Sequence, residues 1–238
     1  MKQNRFLTAE WRKLIMANYS IDPLLLKGKI PAKTELDYWN NKVYVSLVGF
    51  MFMNTKVRGI KIPFHINFPE VNLRFYVRYK ENGQWKRGVV FIKEIVPKRM
   101  ISFVANTLFY ENYSSMSMKY KWQLETENLF AGYYWKKGNN WNSLEVNAGN
   151  ISESLREGSR EEFITEHFYG YSHLKHDKTA EYRVDHPRWS IYKVNDHNIV
   201  CDFENIYGNE FGVLKEKKPE SVFLAEGSPV SVFMKKIL

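Results

Sequence analysis

The sequence predicts a mainly β protein, in which antiparallel strands form a barrel or a tightly curled sheet with a few flanking helices. Two observations favour this class. Aromatic residues make up 16% of the 238 residues, and aromatic side chains are enriched in strands. Runs of alternating apolar and polar residues recur along the chain between turn-forming residues, as is typical of antiparallel all-β folds.

The first two segments are predicted to be helical. Residues 7–20 place apolar side chains three and four positions apart, which is the spacing of an amphipathic helix. Residues 21–31 predict a second, short helix. Asp22 is a suitable N-cap, Pro23 fits the first helical position, and Gly28 suits the C-terminal end.

Strands are predicted to dominate the rest of the chain. The Asn82-Gly83 pair is a strong hairpin signal, because these residues accept the positive φ angles of a tight turn. Strands are predicted over 34–39, 43–57, 70–80, 85–96, 113–125, 128–137 and 142–149. Residues 180–194 predict a strand pair or one bent strand, and residues 220–237 predict a closing hairpin around 226–229. Helices are predicted over 97–109 and 157–168.

Composition does not divide the chain, so residues 1–238 are expected to form a single domain. The 35 Lys and Arg residues against 26 Asp and Glu residues give a net charge of +9. The basic residues are scattered, which favours a solvated surface over a nucleic-acid site.

Without an apolar leader or a membrane-spanning run, a cytoplasmic location is expected. The lone Cys201 excludes an intramolecular disulfide.

One strand raises the main functional question. Within residues 70–78, Glu70, Asn72 and Arg74 share one face, and apolar residues occupy the other. If the polar face lines a cavity, Arg74 binds an anionic or carbonyl group, and Glu70 orients that group or acts as a base. The alternatives are a solvent-facing strand or an internal ion pair between Glu70 and Arg74.

Other polar residues are weaker candidates. His65 is either a proton shuttle at a cavity mouth or a hydrogen-bonded loop residue. Tyr113 and Ser114 are interpreted as part of a hydroxyl-lined cavity wall rather than as the source of a catalytic nucleophile, since no G-x-S-x-G motif is present. His173 and His176 stand three apart, but in a segment that predicts a solvated hairpin tip. We therefore expect no metal and no cofactor.

Six segments are distinctive when taken together. In chain order they are FLTAEWRKLIMANYSIDPLLLKGKIP, YVSLVGFMF, NFPEVNLRFYVR, RGVVFI, HPRWSIY and GSPVSVFMKKI. Together they resemble the YqjF-like family of uncharacterised bacterial proteins. That family is similar to the acetoacetate decarboxylases at the superfamily level. The resemblance implies an acetoacetate decarboxylase-like fold, a curled antiparallel β-barrel with a central cavity.

The resemblance also bears on chemistry. Glu70 matches one cavity glutamate of the decarboxylases, and the position of another falls at about Ser46. The paired lysines of the decarboxylases correspond to about Tyr113 and Ser114, and the nearest lysine is Lys119. Since a Schiff base needs an activated lysine amine, the resemblance implies the barrel and its cavity but argues against that chemistry.

These observations predict a protein that binds a small polar or anionic molecule in a β-barrel cavity, without Schiff-base chemistry. Whether it is an enzyme stays open. One alternative is a basic surface that binds nucleic acid. Another is a decarboxylase with a relocated lysine, Lys119 or Lys121. The candidate ligand-binding residues are Glu70, Asn72, Arg74, His65, Tyr113, Ser114 and Ser46.

Overall fold

The strands form one curled sheet. The computed structural model describes residues 4–174 and 177–238, without the side chains of residues 103–105, 108 and 109. The strands are β1 Arg5–Ile21, β2 Thr34–Leu36, β3 Val43–Val57, β4 Phe68–Glu81, β5 Gln84–Val96, β6 Tyr113–Ser115, β7 Ser117–Leu124, β8 Asn128–Lys137, β9 Asn140–Ser154, β10 Tyr169–Leu174, β11 Lys178–Asp185, β12 Ser190–Val200, β13 Ser221–Phe233 and β14 Lys236–Ile237. The helices are α1 Arg99–Phe109, α2 Arg160–Thr165 and α3 Phe203–Tyr207, with 3-10 helices at Pro23–Leu26 and Asn209–Leu214.

The sheet closes into a ring. Its strand order is β14-β11-β10-β5-β4-β3-β1-β13-β12-β9-β8-β7. An additional pairing joins β11 to β13 and so connects the two sides of the sheet. Most pairs are antiparallel, whereas β10 and β6 each pair with β5 in parallel. The predicted mainly β class and curled sheet are confirmed.

Two apolar cores lie on opposite faces of the ring strands. The inner core, inside the ring, includes Leu14, Val48, Phe50 and Phe223. The outer core lies between β1, β3, β4 and β5 and the returning strands β8 and β9, with α3 packed beside them. Strand β4 is therefore buried on both sides. Its apolar set, Val71, Leu73, Phe75 and Val77, packs outward into the outer core.

The predicted helix over 7–20 is wrong, because this segment is strand β1, paired with β3 and β13. The pairing with β3 shifts register between Arg12 and Ile15, and Lys13 has a positive φ of 53°. Such a bulge interrupts the two-residue alternation of a strand. The apolar side chains on either side of it then fall three and four apart, which imitates helical spacing.

The predicted hairpin over 220–237 is also wrong, because β13 continues from Ser221 to Phe233. Gly227 has a positive φ of 79°, and a Cβ atom there would lie 1.9 Å from the Trp11 carbonyl oxygen. Pro229 pairs with Glu10 of β1. The Gly-Ser-Pro sequence thus marks an irregular point within a strand rather than a turn.

Other predicted elements match the structure. Asn82 and Gly83 both have positive φ and connect β4 to β5. In the short helix that follows Asp22, the carboxylate of that residue accepts a hydrogen bond from the Leu24 amide at 2.9 Å. Residues 180–194 contribute to two strands, β11 and β12. In the described part of the chain, no helix is long and apolar enough to cross a membrane.

Candidate functional site

A cavity of about 210 Å³ lies inside the ring. Residues of β1, β3, β4, β5, β10, β11 and β13 line it, so it is enclosed by the strands that close on one another. Residues before β4, in and after α1, and around α2 complete the wall. Most of the lining is apolar, and the polar side chains are concentrated around β4.

The polar face of β4 lies in this wall. Glu70, Asn72 and Arg74 all line the cavity and are only 2%, 1% and 8% exposed, respectively. The Asn72 side-chain amide donates to Glu70 Oε1 at 3.0 Å. The structure thus brings together the three residues that the alternation placed on one face, and it places them inward rather than in solvent.

Tyr113 stands near two carboxyl groups, Glu70 and Glu94 of β5. The Tyr113 hydroxyl donates to Glu70 Oε2 at 3.1 Å. Burial, together with the Glu70 and Glu94 carboxylates, raises the pKa of this phenol. Glu94 stands directly across the strand pair from Asn72 and is 2% exposed.

Glu111, which follows α1, is the third buried carboxyl group of the cavity. It is hydrogen-bonded to Tyr182 of β11, and its Oε1 accepts a hydrogen bond from the Ser172 hydroxyl at 3.3 Å. Three carboxyl groups therefore line one mostly apolar cavity, together with Tyr113 and Tyr182.

Burial sets the protonation of this cluster. It raises the pKa of Glu70 to about 7 and the pKa of Glu111 to about 8. Burial, reinforced by the Glu111 and Glu70 carboxylates, also raises the pKa of Glu94 well above its usual value. At neutral pH the cluster retains protons, so its carboxyl groups can donate hydrogen bonds as well as accept them.

Arg74 carries a buried positive charge without a close partner. None of the described carboxylates forms an ion pair with its guanidinium, and its Nε has no hydrogen-bond partner among the described residues. Its Nη2 lies 3.9 Å from Met16 Sδ, and its Cζ lies 5.7 Å from the centre of the Tyr76 ring. The Arg74 charge still acts on the cluster, because it opposes the effect of burial and lowers the pKa of both Glu70 and Glu94.

His167 and His186 also face the cavity. His167 Nε2 lies 3.2 Å from Asp37 Oδ2, and Asp37 in turn accepts from Arg87 Nε at 2.6 Å. Burial lowers the pKa of His167 to about 4 and also lowers the pKa of His186. His186 stacks on Trp189, with ring centres 4.3 Å apart. Both imidazoles are therefore neutral near pH 7.

The remaining predicted residues are placed differently. His65 lines the cavity, and its Nδ1 is 2.8 Å from the Pro63 carbonyl oxygen. Ser46 is fully buried and donates to Asn18 Oδ1 at 2.6 Å. Ser114 lies in β6 and pairs with Ile95. Neither serine belongs to the described cavity lining, so the structure does not bring them together with the β4 cluster.

The two lysines considered for imine chemistry are exposed on the outer strand β7. Lys119 Nζ lies 4.9 Å from the Trp141 ring centre, and Lys121 Nζ lies 5.4 Å from that of Phe130. No lysine belongs to the cavity lining in the part of the chain that the structure describes.

Metal ligation finds little support in the described ranges. They contain no cluster of three or more His, Cys, Asp or Glu side chains arranged to hold a metal ion. His173 is exposed, and His176 lies outside the described residues. Cys201 is buried, and this burial raises the pKa of its thiol well above the usual value.

A second cavity, of about 220 Å³, adjoins the first. Phe91 and Glu111 line both. Lys29, Tyr110 and His173 are among the residues on its other side. Glu111 therefore stands in the wall between the two cavities.

The sequence reasoning missed Glu94 because of a bulge. The tight turn at Asn82-Gly83 sets a register that would place Lys93 across from Asn72. The register shifts between Leu73 and Arg74, so that Glu94 pairs with Asn72 instead. Lys93 then points outward, where its ammonium donates to the Ile206 carbonyl oxygen.

Comparison with known proteins places the chain in a family. Residues 8–229 match the model of the DUF2071 family, described as an uncharacterized conserved protein. The chain belongs to the DUF2071 family. The chain is also similar to the uncharacterized protein YqjF of Bacillus subtilis (strain 168), with 33% identity over 110 residues. That stretch is 46% of this chain and 44% of YqjF, so the match spans less than half of the relative's length.

Solved structures similar to this DUF2071 chain share the acetoacetate decarboxylase-like fold. The acetoacetate decarboxylase of Legionella pneumophila has a TM-score of 0.66 at 13% identity, covering 99% of this chain and 88% of that chain. An acetoacetate decarboxylase-like enzyme from Sphingomonas wittichii has a TM-score of 0.65 at 11% identity, covering 99% and 93%. The enduracididine biosynthesis enzyme MppR, complexed with pyruvate, has a TM-score of 0.70 at 9% identity, covering 100% and 91%. At these identities the similarity establishes the fold alone.

Proposed function

We propose that this protein binds a small polar or anionic molecule in the cavity inside its strand ring, without Schiff-base lysine chemistry. The observation that carries the proposal is the guanidinium of Arg74, which lines the cavity, is buried and has no carboxylate partner among the described residues. A bound oxyanion would give this charge the pairing that the protein itself does not provide.

The atoms around Arg74 support the same interpretation. Asn72 Oδ1 and Glu94 Oε2 are buried and have no hydrogen-bond partner among the described residues. Both line the cavity with Arg74, so a ligand that carries an oxyanion beside a hydroxyl group could pair with all three side chains, the oxyanion accepting from Arg74 and the hydroxyl donating to Asn72 Oδ1. The pyruvate complex of MppR, a protein of the same fold, is consistent with a ligand of this kind.

Calorimetric titration with pyruvate, butyrate and hexanoate tests the proposal. We expect Arg74→Met to weaken binding of the acids at least about tenfold, because the charge-assisted hydrogen bond is lost. Arg78→Met is the matched control, since Arg78 lies on the same strand but is half-buried, lies outside the cavity lining and is paired with Glu35 at 2.6 Å. If no acid binds, or if Arg74→Met binds as well as the wild type, the proposal is wrong.

The basic-surface alternative makes a different prediction. Binding of an oligonucleotide would be salt-dependent and would not respond to substitutions inside the cavity. That surface would include cations that lie over aromatic rings, such as Arg78 over Trp85 and Lys119 over Trp141. A mobility-shift assay at low salt, repeated with Arg78→Met and Lys119→Met, separates this alternative from the cavity proposal.

A further inference from the structure

The cavity has two chemically distinct ends. The polar end consists of β4, β5 and the segment after α1, with Arg74, Glu94 and Glu111. The other end is lined by aromatic side chains of β1, β3 and the start of β4. On the paired strands β3 and β4, Phe50 stands across from Glu70 and Phe52 stands across from Phe68, so the lining changes character within two residues.

The aromatic end is a continuous wall. Phe52 stacks on Phe68 with ring centres 4.8 Å apart. Trp11 contacts Phe50 and Phe52 edge-on, at 5.5 Å and 5.9 Å, and Trp189 at 6.3 Å. All five side chains line the cavity. Such a wall offers a ligand a large area of apolar contact. The polar groups beside it include the Trp11 indole nitrogen and the imidazole of His186, which stacks on Trp189.

The cavity mouth is apolar as well. Ile62, in the segment between β3 and β4, and Met100, at the start of α1, line the cavity although they are 44% and 62% exposed. Ile60 and Phe64 of the same segment are also exposed. Exposed apolar side chains grouped at the opening of a cavity mark a binding surface more often than isolated ones do.

We infer that the ligand is an amphipathic carboxylic acid, with its carboxylate at Arg74 and an apolar chain or aromatic ring against the wall formed by Trp11, Phe50, Phe52 and Phe68. This inference rests on the proposed function and narrows it. A short polar acid such as pyruvate would satisfy the polar end and leave the aromatic wall uncovered. A chain attached to the carboxylate would cover that wall and the apolar side chains at the mouth.

Chain length is the variable that tests the inference. Titration of the wild-type protein with acetate, butyrate, hexanoate and octanoate, followed by calorimetry, should show affinity rising about fourfold per added methylene until the cavity is filled. Fluorescence of Trp11 and Trp189 should change with the longer acids, since both indoles line the cavity. Hexanol should bind more weakly than hexanoate, because it lacks the charge that pairs with Arg74.

A substitution at the mouth gives a second, independent measurement. Ile62→Ser should weaken octanoate binding several-fold and leave butyrate binding unchanged. Leu124→Ser is the matched control, since Leu124 is an exposed apolar residue on the outer strand β7.

The outcomes separate the two claims. If acetate and pyruvate bind through Arg74 and longer chains bind no more tightly, the proposed function stands and the inference is overturned. If no acid binds, the proposed function fails. If hexanol binds as tightly as hexanoate, the apolar end is real but the carboxylate assignment is wrong. If Ile62→Ser binds octanoate as the wild type does, the inferred contact between the ligand's apolar chain and the side chains at the mouth is wrong.

Discussion

The hydroxyl group of Tyr113 lies 3.1 Å from Oε2 of Glu70. Burial and the carboxylates of Glu70 and Glu94, which come from neighbouring strands, together raise the pKa of this phenol. Because the three groups interact, the protonation of each carboxyl group depends on that of the other. This relationship determines how the cavity should respond to pH and to substitution.

Removing the Tyr113 hydroxyl should alter the titration of Glu70. In Tyr113→Phe we expect a higher pKa of Glu70, because the hydrogen bond from Tyr113 lowers it, and a loss of about 1 kcal/mol in the free energy of unfolding. Carbon-detected NMR of the glutamate carboxyl groups measures the first effect, and chemical denaturation measures the second. Tyr120→Phe is the control, since Tyr120 is exposed on β7. An unchanged titration of Glu70 would contradict this hydrogen bond.

The stability of the protein should fall between pH 6.5 and pH 8.5. Burial raises the pKa of Glu70 to about 7 and that of Glu111 to about 8 in the folded state. The unfolded chain has released these protons at lower pH, so the folded state binds more protons in this window and loses stability as pH rises. The lowered pKa values of His167 and His186 act mainly below pH 6.5 and do not mask the effect.

Denaturant titrations at several pH values measure this slope, which approaches about 1.4 kcal/mol per pH unit for each proton released. Glu70→Gln should flatten the curve, because the amide does not titrate. Glu35→Gln is the control, since Glu35 is exposed. A stability that stays constant or rises across the window would show that the carboxyl cluster does not hold protons as described.

Incubation with pyruvate and borohydride should leave every lysine unmodified. The described cavity wall contains no lysine, and Lys119 and Lys121 lie on the outer strand β7, over aromatic rings. Mass spectrometry of the treated protein is the measurement, and the Legionella pneumophila acetoacetate decarboxylase serves as the positive control. A specific adduct that depends on pyruvate would restore the imine alternative, and peptide mapping would identify the lysine.

Gly227→Ala should destabilise the protein by about 2 kcal/mol or more. A Cβ atom at this position would lie 1.9 Å from the Trp11 carbonyl oxygen, and φ is +79°. Gly149→Ala is the matched control, since this strand glycine has no atom within 4 Å of the added Cβ. It should change stability by less than about 1 kcal/mol. Equal effects of the two substitutions would mean that β13 adjusts freely at this point.

Local signals predicted most of the strands but not their irregularities. The alternation of β4 and the Asn82-Gly83 turn were sufficient for the hairpin, and the resemblance supplied the curled sheet. The bulge at Lys13 has no distinctive sequence signal, and it led to the false helix over 7–20. At Gly227 the turn-forming residues are used inside a strand, because the close approach of β1 requires a residue without a side chain.

The candidate site, like the fold, could be predicted from the sequence only in part. Glu70, Asn72 and Arg74 could be grouped from alternation alone, since they lie on one strand. Glu111 and Tyr182 are far apart in sequence, and only the closed ring brings them together. Glu94 lies in a strand that was predicted correctly, but the shift of register next to it decides which side chain faces inward.

That shift of register has a consequence for how such barrels change during evolution. If β5 kept its length but lost this bulge, Ile92 would pair with Leu73, and Lys93 would turn inward, across from Asn72, while Glu94 would turn outward. The ammonium group that now contacts the Ile206 carbonyl oxygen would then stand among buried groups beside Arg74. A carboxyl-lined barrel and an amine-lined barrel are therefore separated by one bulge in β5, without any change to the fold.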